Sequence, residues 1–221
     1  VIKFFVSRNF DKLIRFVLDE YGLNSSWRVI VLDDDECKLF FYERINFITY
    51  KDEFFDKADV VDEWDDGDPK THDSFYACCI PCFDNYEDII KIKEGLDQKR
   101  LETFNSETNF IQKLFYSYRD VDHLILINDE SFSGLLNVQW PEIIGHEAFH
   151  IVEYELYDQT HKGEEVYEYG KKLADQYIAS LTVEQRKSEF KKICSHEKGR
   201  GKYGKLRIIT KFNIGCSGDK R

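Results

Sequence analysis

No run of apolar residues in this chain approaches the roughly 18 needed to cross a membrane. Residues 1–6 are too short to be the apolar core of a secretion signal. A cytoplasmic location is therefore expected, with a removed targeting segment left open because the chain begins at Val1 and contains no Met. Internal repeats and low-complexity tracts are also missing. Of the six cysteines, Cys37, Cys78, Cys79, Cys82, Cys194 and Cys216, only Cys79 and Cys82 have the two-residue gap of a metal half-site or redox pair. A zinc ribbon needs a second such pair, so buried thiols or one structural disulfide are expected instead.

What the chain does have is apolar and acidic in bulk. With 221 residues, 42% hydrophobic and 15% aromatic, it has enough apolar side chains for a packed core. Its net charge of −11 is unevenly placed: residues 186–221 hold 12 Lys/Arg and 3 Asp/Glu, a net +9, which leaves −20 on residues 1–185. The favoured reading is a basic tail packed on its own acidic body, and the alternative is an arm for nucleic acid or a partner.

Helical and strand patterning divide the chain. Residues 10–18 show helical spacing ended by Gly22, residues 27–32 are β-rich, residues 33–35 form a turn, and residues 39–50 resume β character. The carboxylates of residues 52–68 resemble a calcium loop, but Trp64 stands where that loop needs an oxygen ligand, so a solvated acidic loop is expected. Residues 75–80 and 121–128 read as strands, and residues 86–96 and 101–118 as helices.

The densest chemical signal follows: Pro141 opens a helix containing His146, Glu147 and His150, a complete His-Glu-x-x-His signature. Four residues of helix advance about 400°, so the two imidazoles leave one face a turn apart, where they could grip one metal ion. Glu147 is offset by about 100°, which would let its carboxylate take a proton from a metal-bound water.

With a strand at residues 121–128 leading into this helix, residues 122–181 resemble the catalytic core of the zincin metallopeptidases. The resemblance implies an α+β fold with a mixed sheet, an active-site helix at residues 141–157, and a second ligand-bearing helix at residues 164–180. It divides the chain into an amino-terminal α/β part (1–120), a catalytic core (121–185) and a basic extension (186–221). It also implies a Zn²⁺ cofactor held by His146 and His150, Glu147 as general base, and hydrolysis of a peptide or protein substrate. That substrate would be held by main-chain hydrogen bonds along an edge strand at residues 124–128.

The third ligand is open. The metzincin continuation fails, since Glu153 and Leu156 stand where it has Gly and His or Asp. Gluzincins carry a Glu on the second helix, and Glu168, 18 residues after His150, is the first choice, with Asp175 orienting an imidazole. Lys171 stands where that group's Glu-x-x-Ala-Asp pattern has Glu. Residues 160–165 resemble the ligand region of SprT-like proteases, making His161 the rival, and Glu164 and Glu165 are further candidates. Tyr154, Tyr157, Tyr167 and Tyr177 are all available as proton donors. The expected activity is that of a zinc metallopeptidase. The alternatives are a nucleic-acid-associated protease using the tail and a metal-bound binding protein without catalysis.

Overall fold

Three short strands carry the fold in this computed structural model, which describes residues 3–55, 76–133, 140–157 and 164–189. They are β1 (Trp27–Leu32), β2 (Ala77–Pro81) and β3 (His123–Asn128). The spatial order is β1-β3-β2, with β3 parallel to β1 and antiparallel to β2. All six residues of β3 are buried, as an unbroken His-Leu-Ile-Leu-Ile-Asn run requires when both faces of a sheet are covered. Its Leu124, Ile125, Leu126 and Ile127 contribute about 1.5–3 kcal/mol each in gross burial.

The period of two splits each strand between two cores. Val29, Val31, Cys79, Ile125 and Ile127 face α1 (Lys3–Glu20), α7 (Trp140–Leu156) and α8 (Glu164–Ser180). Ile30, Leu32, Cys78, Ile80, Leu124 and Leu126 face α2 (Asp34–Phe55), α3 (Cys82–Gly95), α4 (Gln98–Glu107) and α5 (Asn109–Ser117). The short α6 (Asp129–Ser133) and α9 (Val183–Glu189) complete the described elements. The fold is therefore α+β, a mixed three-stranded sheet between two helical layers.

Local chemistry sets the ends. Gly22, at φ 67°, closes α1: its N–H donates to Asp19 and the Leu23 N–H to the Leu18 carbonyl, the paired bonds of a Schellman stop. Asp33 accepts from the Glu36 N–H at 2.9 Å while Glu36 accepts from the Asp33 N–H at 3.0 Å, a capping box that starts α2. Thr182 and Gln185 repeat the device at α9. Glu43 points inward from α2 and accepts from the Phe110 and Ile111 N–H groups at 2.5 and 3.0 Å, capping α5 across the core.

Three expectations change here. Asp34 and Asp35, expected within a turn, are the first residues of α2. Residues 39–50 are helix, because the capping box sets α2 going and Cys37, Phe40, Glu43 and Phe47 recur at helical spacing on its buried side. The span 101–118 is two helices, α4 and α5, meeting at Thr108. The strands at 27–32, 75–80 and 121–128 and the helices at 86–96, 141–157 and 164–180 stand where patterning put them, within a few residues. The acidic loop assigned to residues 52–68 lies outside the described residues from 56 onward, as do Cys194, Cys216 and residues 190–221. Cys37, Cys78, Cys79 and Cys82 are all buried. Cys79 and Cys82 belong to opposite cores, so they do not form a metal half-site.

Candidate functional site

Pro141 sits in the first turn of α7, and Ile144, Ala148, Ile151 and Val152 bury the helix against the sheet. α8 crosses α7 at a glycine pair. A Cβ on Gly145 would lie 2.5 Å from the Gly170 carbonyl oxygen, and one on Gly170 would lie 2.5 Å from the His146 backbone. Only hydrogen at both positions permits this approach, which lays α8 directly on the turn that carries His146. Glu142 pins the crossing: it accepts from the Tyr167 hydroxyl and from the Lys171 ammonium, each at 3.1 Å. The Tyr167 ring then stands 6.0 Å from the His146 ring. Burial and then the Glu142 carboxylate raise the Tyr167 pKa, and Glu142 raises that of Lys171.

The two imidazoles of the signature meet as their spacing requires. His146 Nε2 and His150 Nε2 are 3.0 Å apart, with ring planes 82° to one another. His150 Nδ1 lies 2.7 Å from Oε2 of Glu153, whose side chain is 1% exposed. A buried carboxylate at that distance takes the Nδ1–H, which leaves the lone pair of His150 on Nε2, facing His146. The histidine rings themselves are partly exposed. Glu147 is buried on the neighbouring flank of α7. Nearby, His123 of β3 pairs with Glu155 at 2.8 Å and stacks on Tyr154, tying the end of α7 to the sheet.

The metal-site expectations that fall on described residues are corrected. Among the described residues, no group of three or more His, Cys, Asp or Glu side chains could hold a metal ion. Glu168, the expected third ligand, is exposed and lines a cavity of about 370 Å³ with Lys171, Lys172, Asp175 and Gln176. Glu168 and Asp175 share a helix face as their spacing implied, but that face does not complete a ligand set with His146 and His150. His161 and the side chains of Glu164 and Glu165 lie outside the described residues. The zincin core, whether gluzincin or SprT-like, is thus not supported, and with it fall the Zn²⁺ cofactor, the metallopeptidase activity and the metal-bound binding protein.

The peptide-substrate reading has a second obstacle. Residues 124–128 belong to β3, the central strand, whose main chain is already paired on both sides, so no edge is left there for an extended peptide. The nucleic-acid alternative, which rests on residues 186–221, is likewise unsupported.

Of the four tyrosines weighed as donors, Tyr167 has its ring beside that of His146. Tyr154 stacks on His123, Tyr177 is buried beside Phe16, and Tyr157 is exposed. Sequence reasoning missed Glu153, Glu142 and the glycine pair. Glu153 lies three residues after His150, a spacing that brings side chains together on a helix, and that was the available signal. Comparison of the chain with protein-family models, with curated proteins and with solved structures returns no match.

Proposed function

We propose that His146 and His150, with Glu153 behind them, form a general acid–base centre that hydrolyses a small ester by proton transfer between two imidazoles. The observation that carries this reading is the chain of contacts Glu153 to His150 to His146, at 2.7 and 3.0 Å. Two imidazoliums at that separation repel strongly, so the pair takes up its first proton more readily than its second and titrates as a unit.

The working form is the singly protonated pair, one imidazole beside one imidazolium. Glu153 holds the proton on His150 Nδ1, so the His150 Nε2 lone pair accepts from His146 Nε2–H in the resting pair. As that proton passes to the leaving oxygen, the lone pair is released and removes a proton from the water attacking the ester carbon or phosphorus. The proton gained by His150 then crosses the 3.0 Å gap and restores the starting form. Glu153 is a positioning residue that fixes the His150 tautomer and stabilises its imidazolium.

The test is turnover of a panel of activated carboxylic and phosphoric esters across pH, in wild type and in His146→Gln, His150→Gln and Glu153→Gln. General acid–base groups contribute typically 10²–10⁴-fold, so each histidine change should remove about that much, and the rate should fall at both ends of the pH range. Glu153→Gln should lower the rate and move both pH limbs to lower pH. Turnover that survives His150→Gln, or a panel with no hydrolysis above buffer, overturns the proposal.

A further inference from the structure

α2 is apolar on two sides. Its inner side buries Cys37, Phe40 and Phe47, while its outer side exposes Leu39, Tyr42 and Ile45 at 42%, 65% and 52%. These three recur at intervals of three, so they form one stripe along the helix. A helix with apolar residues all round is normally covered all round. The stripe has acidic ends: Asp35 lies seven residues before Tyr42, and Asp52 and Glu53 lie ten and eleven after it, on the same side and exposed. Lys38, the one cation within the stripe, is tied to Asp34 at 2.7 Å.

A second copy of α2 is a poor occupant. Antiparallel pairing sets Asp35 against Asp52 and Glu53, and parallel pairing sets Asp35 against Asp35, a like-charge contact in either case. Three residues are also too few for the roughly 1,200–2,000 Å² of a stable interface between separate molecules. A tethered segment avoids most of the entropy cost of association, so a small patch suffices for it.

We propose that this stripe is the docking site for the chain's own residues 203–214. That segment carries Tyr203, Leu206, Ile208, Ile209, Phe212 and Ile214 interleaved with Lys205, Arg207 and Lys211, and has no acidic residue. Its apolar side chains match the stripe, and its cations match the exposed Asp35 and Asp52 at the two ends, Glu53 being paired with Arg100. The thirteen residues 190–202 supply reach, since they extend to about 43–47 Å, roughly the width of a domain of this size. The interaction is partly ionic and weakens with salt.

The test uses the full chain. In Tyr42→Glu/Ile45→Glu, trypsin should cut after Lys205, Arg207 and Lys211 at least about tenfold faster than in wild type at low salt, with an unchanged thermal midpoint, because both positions are exposed. Wild type should approach the variant as salt rises. A reciprocal variant, Ile209→Asp/Phe212→Asp, should make Tyr42 several-fold faster to nitrate. Equal cleavage in wild type and the α2 variant, or unchanged Tyr42 nitration in the tail variant, overturns the proposal. So does a concentration-dependent rise in the mass of wild type that is lost in the α2 variant, which would give the stripe to a second copy.

Discussion

Replacing Gly170 by alanine adds one methyl group where the histidine-bearing turn leaves no room. The new Cβ would sit 2.5 Å from the His146 N and Cα and 2.8 Å from the Gly145 carbonyl carbon. These are backbone atoms, so no rotamer change can relieve the contact. Restoring an ordinary carbon–carbon distance of about 3.5 Å requires α7 and α8 to part by about 1 Å.

Overpacking of this kind costs about 1–3 kcal/mol, and a clash between two backbones belongs at the upper end. Alanine returns about 1 kcal/mol through its better helix propensity, for a net loss of about 2 kcal/mol. In a chain of this length that lowers the thermal midpoint by roughly 4–8 °C. Parting the helices also draws Tyr167 and Lys171 away from Glu142, so the Tyr167 pKa should move back toward its ordinary value. Gly145→Ala should behave alike, meeting Gly170 O at 2.5 Å. The double variant should cost less than the sum, because the first methyl group already makes room for the second. Thermal unfolding with an ultraviolet tyrosine titration measures both effects. An unchanged or raised midpoint in Gly170→Ala would refute the tight crossing.

Other perturbations test the rest of the frame. Glu43→Ala removes the carboxylate from two amide donors of α5 and should cost about 3 kcal/mol by urea unfolding, whereas the exposed Asp84→Ala should change stability by no more than about 0.5 kcal/mol. Burial, reinforced by nearby carboxylates, pushes the Cys37 and Cys82 thiols from 9.0 up to about 12. Between those values the unfolded chain loses protons that the folded chain keeps, so stability should fall by about 1.4 kcal/mol per pH unit per thiol. A Cys37→Ala/Cys82→Ala variant should lose that slope, which denaturant titrations from pH 8 to 10.5 would reveal. His123→Phe keeps a ring against Tyr154 but abandons Glu155. Its effect should appear as faster amide exchange at the end of α7, with β3 still protected.

The elements most legible in the sequence were those whose pattern has a single physical reading. Residues 124–127 are apolar without a break, which suits a strand buried on both faces, and the spacing of His146 and His150 determines that their rings meet. Residues 39–50 misled because aromatic and β-branched residues fit either structure. Their fate was decided by a capping box two turns earlier and by Glu43, whose partners lie 67 and 68 residues away. The place of β3 in the sheet was illegible for the same reason, since strand order depends on contacts across the whole chain. A paired-histidine motif constrains only its own helix. It does not say which carboxylate approaches it, and here Glu153, from the same helix, is the partner while Glu168 faces the solvent.

The acid–base reading is tested most directly by nitrogen-15 imidazole spectra of His146 and His150 recorded across pH in wild type and Glu153→Gln. The expected result is His150 with its proton on Nδ1, two coupled titration steps shared by both rings, and a lower first step once the Glu153 charge is removed. Independent single-step titrations of the two rings, unmoved by Glu153→Gln, would contradict it.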